Sequence, residues 1–236
     1  MQVVLFLALL AQAPACGADE VSAMADAGRS VRSFDLAGAV ERLERTSSGC
    51  ETTRVALLYF RGLQAARAAY PNGGDDVSLM PVTQTITELE RYAATNPRAE
   101  LLRVTLMAAA AAAQSERSDM ALLLEQATTL EEKMFATSGT GAPGVTAHEV
   151  AGDLWFQVHR FEMARAAYQR ASELFGLTPG IALGLARTAV QLHDDVRACD
   201  AYRWVVTQWT ALTAPPDIVE ARAFVASARC GAAPGR

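Results

Sequence analysis

Reactive side chains are sparse along this chain of 236 residues, which holds three histidines, four cysteines and a few adjacent carboxylates. His148 and His159 stand eleven residues apart, so one helix would carry both on one face. At helical rise they would still be about 16 Å apart, too far to hold one metal. His193-Asp194-Asp195 reads as a turn whose carboxylates cap a helix and meet solvent. Ser138-Gly139-Thr140-Gly141 is rich in glycine but lacks the Gly-Lys-Thr/Ser ending that cradles phosphates. No Gly-x-Ser-x-Gly motif occurs, and Asp75-Asp76 and Glu131-Glu132 read as solvated acidic pairs. The four cysteines include no CxxC, which argues against a zinc or redox centre. The expectation is a chain with no catalytic residue, no metal and no cofactor, a binding protein rather than an enzyme.

The cysteines bear more on location and stability. Residues 1–15 carry no charged side chain, and 3–11 form an unbroken apolar run. That run is too short for a bilayer, which needs about 20 residues, but has the length of a signal-peptide core. Small residues follow it, so 1–15 read as a signal peptide and the chain as exported; a buried first helix is the alternative. Ala13-Pro14-Ala15-Cys16 resembles a bacterial lipobox, with leucine usual where Ala13 stands. That resemblance implies a lipidated start at 16–17, with a diacylglyceryl group on Cys16 holding a periplasmic or outer-envelope protein to its membrane. Plain secretion is the alternative. Cys199 falls near the start of one expected helix and Cys230 near the end of the next, at similar height if the two pack antiparallel. A bridge between them would close a loop of about 30 residues and stabilise the fold by roughly 3–4 kcal/mol. Two buried free thiols are the other reading.

Positioning falls to helices. Only three isoleucines occur, and no segment alternates over strand length. About eleven helices are expected, at 18–31, 34–46, 51–70, 82–95, 98–115, 117–136, 146–159, 161–176, 179–192, 195–211 and 216–229. Pro71-Asn72-Gly73-Gly74, Asn96-Pro97, Thr178-Pro179-Gly180 and Pro215-Pro216 punctuate them. Asp35, Asp195 and Asp217 are N-cap candidates, and 71–81 is the longest interruption. A net charge of −5 leaves no basic stripe for nucleic acid. At 51% hydrophobic, much of it alanine, the chain can build a continuous helical core.

Two segments repeat each other at an offset of 34 residues. FEMARAAYQRASELF (Phe161–Phe175) aligns with DVRACDAYRWVVTQW (195–209), matching Ala164 to Ala198, Ala167 to Ala201, Tyr168 to Tyr202 and Phe175 to Trp209. Such a period of small and aromatic residues marks stacked helix–turn–helix units. With Ala151-Gly152 and Trp155, the segment 145–178 resembles a tetratricopeptide repeat, and 179–212 resembles a second, carrying Leu185-Ala186, Ala189, Ala198 and Tyr202. The resemblance implies an all-α, right-handed solenoid of stacked hairpins. It assigns 18–144 to diverged hairpins, starting a B helix at Phe34-Asp35-Leu36, and 213–236 to a capping helix and tail. It also implies a concave groove lined by Glu149, Asp153, Phe156 and Gln157 from one unit and Leu183, Arg187, Val190 and Gln191 from the next. The expected ligand is a protein or peptide segment with a basic end and an apolar anchor. A self-associating envelope protein without a groove ligand is the alternative, and the sequence leaves the oligomeric state open.

Overall fold

The computed structural model describes residues 16–32, 34–46, 49–70, 76–139, 144–209 and 214–231. The signal-peptide reading of 1–15 falls outside these. Twelve helices and no strand occur among the described residues: α1 (Ala18–Arg32), α2 (Leu36–Arg45), α3 (Glu51–Ala69), α4 (Asp76–Ala93), α5 (Pro97–Ala113), α6 (Arg117–Ser138), α7 (Ala147–Gln157), α8 (Phe161–Phe175), α9 (Pro179–Gln191), α10 (Asp195–Gln208), α11 (Pro216–Val225) and α12 (Ala228–Gly231). Each helix packs on the next, and α1, α3, α5, α7 and α9 also touch in succession. None is long and apolar enough to cross a membrane.

One turn recurs at α1–α2, α5–α6, α7–α8 and α9–α10. Phe34, Ser115, His159 and His193 take left-handed backbone there, with φ of 60°, 64°, 60° and 59°. In each case the next N–H reaches back five residues, as from Arg160 to Trp155 O at 2.8 Å and Asp194 to Ala189 O at 2.9 Å. This double bond pattern ends a helix on satisfied carbonyls and frees the following residue to start another. His159 therefore lies in a turn and shares no helix face with His148, correcting the sequence expectation.

Several boundaries differ from expectation. α4 starts at Asp76 and contains Pro81, so 76–81 is helix rather than loop. A proline this near a helix start removes one backbone bond, and Leu79 and Val82 are fully buried there. Asp35 caps α2 by accepting from Gly38 N at 2.8 Å, but α10 is capped by Asp194 rather than Asp195. Asp217 sits inside the first turn of α11, whose cap position is Pro215. The expected last helix breaks after Val225, with the short α12 following.

The core is built pairwise. α5 touches α3, α4, α6 and α7, and most of its alanine run is buried, with Arg103, Met107 and Ala110 partly exposed. Between α7, α8 and α9 the seam is tighter. A Cβ on Gly152 would lie 2.5 Å from the Tyr168 ring, and one on Gly184 would lie 2.2 Å from it. The Tyr168 ring thus fills a slot that two bare helix backbones leave open. Gly184 is a seam residue that the sequence comparison, centred on Leu185-Ala186, passed over.

Two disulfides tie the ends. Cys199 and Cys230 are bridged between α10 and α12, with Cα atoms 5.5 Å apart. Cys16 is bridged to Cys50, with Cα atoms 5.1 Å apart. A sulfur in this bridge would not be free for the thioether that the lipobox resemblance implies at Cys16.

Two stability measurements follow. Gly184→Ala is expected to lower the free energy of unfolding by about 1–3 kcal/mol, the cost of overpacking a filled seam. An unchanged urea midpoint would contradict the slot. Cys230→Ser opens a loop of 31 residues and is expected to cost about 3–4 kcal/mol in the chain-entropy picture. Equal unfolding midpoints for this variant and the parent would refute that.

Candidate functional site

α7 is the element that organises the site, and its start is fixed twice. Thr146 caps it by accepting from Glu149 N at 3.0 Å, and Thr146-Ala147-His148-Glu149 has the spacing of a capping box. From α6, the fully buried Glu131 carboxylate accepts from Ala147 N at 2.9 Å and His148 N at 3.1 Å. An anion there completes the N–H groups of a helix start. The His148 ring lies between two carboxylates, with Nδ1 2.9 Å from Glu131 and Nε2 3.3 Å from Glu132. Glu131 is therefore a buried structural acid, not the solvated one expected. Tyr59 of α3 adds a bond from its hydroxyl to Val145 O at 3.1 Å.

So anchored, α7 presents Glu149, Asp153, Phe156 and Gln157 along one face. α9 faces it with Leu183 and Arg187, and these six line a cavity of about 330 Å³. The sequence had grouped them with Val190 and Gln191, which the structure places elsewhere. Val190 packs on the cluster joining α9, α10 and α11, and Gln191 is exposed at the end of α9. Beside the cavity, Asp217 and Glu220 of α11 bond to the Arg187 guanidinium at 2.7 and 2.5 Å, and Asp217 joins the lining. Arg187 thus lines the cavity, as the resemblance implies, and also ties α9 to α11.

Other lining residues were missed in the sequence. Arg67 of α3 donates to Asp153 at 3.1 Å across 86 residues of chain. Phe34, at the left-handed α1–α2 turn, lines the cavity together with Val31 and Leu36. Phe34 also packs against the α9–α11 cluster, so the N-terminal hairpin closes one side of the site. Its left-handed φ, unusual for a bulky residue, was the one backbone signal available, and it is invisible in a sequence.

Charge in the site is arranged in two similar networks. Tyr168 donates to Asp153 at 2.6 Å, and Asp153 accepts from Arg67. Tyr202 donates to Glu220 at 2.6 Å, and Glu220 accepts from Arg187. Burial works to raise the Glu220 carboxyl, but the bonds from Arg187 and Tyr202 prevail and hold it below its ordinary range. Glu149 goes the other way. Burial first, then the charges of Asp153 and Glu131, push its carboxyl up to about 8, against Arg67 and a backbone bond from Thr146. Its head lies against α9, since a Cβ on Gly180 would come within 2.3 Å of Glu149 Oε1.

The described lining contains no serine, cysteine or histidine. It offers paired ions, one buried acid, an amide and two phenyl rings. Elsewhere, Cys16, Glu20 and Cys50 bring ligand-type atoms within 4.8 Å of one another. There the two sulfurs are joined to each other, and the Glu20 carboxylate accepts from Gly17 N at 2.8 Å and Cys50 N at 3.1 Å.

Glu149 sets a pH dependence of stability. An ordinary glutamate loses its proton near 4.3, whereas folded Glu149 keeps it to about 8. The folded state therefore binds more protons between those values. The contribution of Glu149 is complete below about pH 4.3 and is lost as the pH rises to about 8, with a slope of at most about 1.4 kcal/mol per unit. Urea titrations from about pH 5 to 8 are expected to show this decline in the parent and a flatter profile in Glu149→Gln. Parallel profiles would refute the assignment.

Comparisons of this chain with protein-family profiles, with curated proteins and with solved structures find no match.

Proposed function

We propose that this chain is an exported, tetratricopeptide-like α-solenoid that holds a segment of a protein partner in the cavity between α7 and α9. The observation that carries the reading is the convergence of Glu149, Asp153, Phe156, Gln157, Leu183 and Arg187 on one cavity. Support for a solenoid comes from the succession of contacts among odd-numbered helices and from the turn repeated at Phe34, Ser115, His159 and His193. Units that stack this way cannot bury their apolar faces alone and leave a concave side for ligands. Support for export comes from the two disulfides, which persist in oxidising compartments.

The mechanism is complementarity on a rigid frame. α7 is pinned at its start, and Tyr168, Arg67 and Arg187 hold its neighbours, so binding orders few groups and loses little affinity to entropy. Phe156, partly exposed at the cavity wall, supplies the apolar contact.

The test places a photo-crosslinking side chain at Gln157 and, as control, at Leu122, which is 66% exposed on α6. In the native envelope a partner is expected to link at the first position and not the second. Against the purified partner, Phe156→Ala is expected to weaken affinity by about tenfold or more. Crosslinking only between copies of this chain, with a defined oligomer by light scattering, would replace this reading with self-association.

A further inference from the structure

The geometry points to a redox-gated metal site where α1 meets α3. With its thiols reduced, the chain holds a divalent cation of the zinc type on Cys16 Sγ, Cys50 Sγ and a Glu20 carboxylate oxygen. The Cys16–Cys50 disulfide is the oxidised, metal-free state of the same three residues. This site lies apart from the cavity between α7 and α9 and does not rest on the partner-binding reading.

One ion can reach all three ligands. Their ligand atoms lie within 4.8 Å of one another. Three atoms so placed share a point within about 2.8 Å of each, close to the zinc–sulfur and zinc–oxygen bond lengths of about 2.3 and 2.0–2.2 Å. The two sulfurs must part when their bond is reduced, and Cα atoms 5.1 Å apart leave the side chains room to rotate for that. The second disulfide supplies a contrast. Among the described residues, no third ligand-type side chain joins Cys199 and Cys230 in such a group. Two thiolates and a carboxylate form a donor set that suits zinc and its neighbours rather than calcium or magnesium.

The surroundings hold the ligands ready. The two oxygens of Glu20 accept from Gly17 N at 2.8 Å and Cys50 N at 3.1 Å. Each oxygen keeps a second lone pair, so these bonds orient the carboxylate without using it up. They also tie it to the backbone beside both sulfurs. Cys16 stands just before α1, and Cys50 occupies the cap position of α3, where its side chain makes no capping bond. A helix start favours the thiolate, the form that binds metal. Cys50 is 3% exposed, whereas Cys16 and Glu20 are partly open. Gly17, Asp19, Glu20, Arg45 and Thr46 line an open depression there, a way in for the ion and room for water as a fourth ligand. The Arg45 guanidinium in that lining is bonded to Glu41.

The exchange between the two states balances. A dithiol attacks one sulfur of the Cys16–Cys50 bond and then closes to its own disulfide. Two electrons and two protons pass to Cys16 and Cys50. The divalent ion displaces the two thiol protons to solvent as it binds. In reverse, a small-molecule disulfide accepts the two electrons and becomes two thiols, the sulfur–sulfur bond re-forms and the ion leaves. Oxidising compartments hold the covalent tie, and reducing ones hold the metal. Both states join α1 to α3.

The experiment titrates the full chain with cobalt(II), first as the disulfide and then after reduction by a phosphine. The reduced chain is expected to develop thiolate-to-cobalt charge-transfer absorption that zinc abolishes, and the disulfide form to develop none. Cys16→Ser is expected to lose the band, although its Cys199 and Cys230 thiols remain. Glu20→Gln, which keeps every sulfur, is expected to retain its circular dichroism and to bind cobalt at least about tenfold more weakly. Oxidised glutathione added to the zinc-loaded chain is expected to release zinc to a metallochromic dye as peptide mapping shows the Cys16–Cys50 bond returning. No thiolate band in the reduced chain, or an unchanged band in Cys16→Ser, would overturn the inference. Equal cobalt affinity in Glu20→Gln, or zinc retained after the disulfide has re-formed, would overturn it too.

Discussion

The Tyr168 ring between Gly152 and Gly184 is the constraint on which the rest of the molecule depends. Both glycines lack the atom that would strike the ring, so α7 and α9 approach α8 far more closely than branched side chains permit. The same residue then turns polar. Its hydroxyl meets Asp153, and Asp153 holds Arg67 from α3. One side chain thus joins the apolar seam to the charge of the cavity. The arrangement recurs one unit later, where Tyr202 meets Glu220 and Glu220 meets Arg187.

These networks leave a site whose strong ions are mutually satisfied. The exception is Glu149, where burial and neighbouring carboxylates outweigh the pull of Arg67. Glu149 tolerates its burial because it remains protonated through neutral pH, avoiding the cost of an unpaired charge in a poorly hydrated place. Glu131, equally buried, is satisfied differently, by the backbone at the start of α7 and by His148. Two acids within one capping region are therefore assigned different work by their surroundings: one anchors a helix, and the other faces the cavity.

Much of the local structure was legible in the residues. The helical class, most helix boundaries and the offset between α8 and α10 came from spacing, because small and aromatic residues recur with the period of the packing they serve. The failures have physical causes. Pro81 read as a stop, but the burial of Leu79 and Val82 outweighed one lost backbone bond. The last helix broke after Val225, where no proline marks a stop. Arg187 read as a groove residue through the repeat resemblance, and nothing local announces that Asp217 and Glu220 will reach it from α11.

The sequence by itself determined which segments are helices, since that follows from local periodicity and punctuation, while the residues of α7 and α9 that share a face came from the resemblance to a repeat. Tertiary structure alone decided that Arg67 and Phe34 enter the site, that Val190 and Gln191 leave it, and that Cys16 meets Cys50. Those outcomes depend on how tightly successive hairpins pack and on which distant helices come within bonding range, and side-chain contacts over such separations have no signature along the chain.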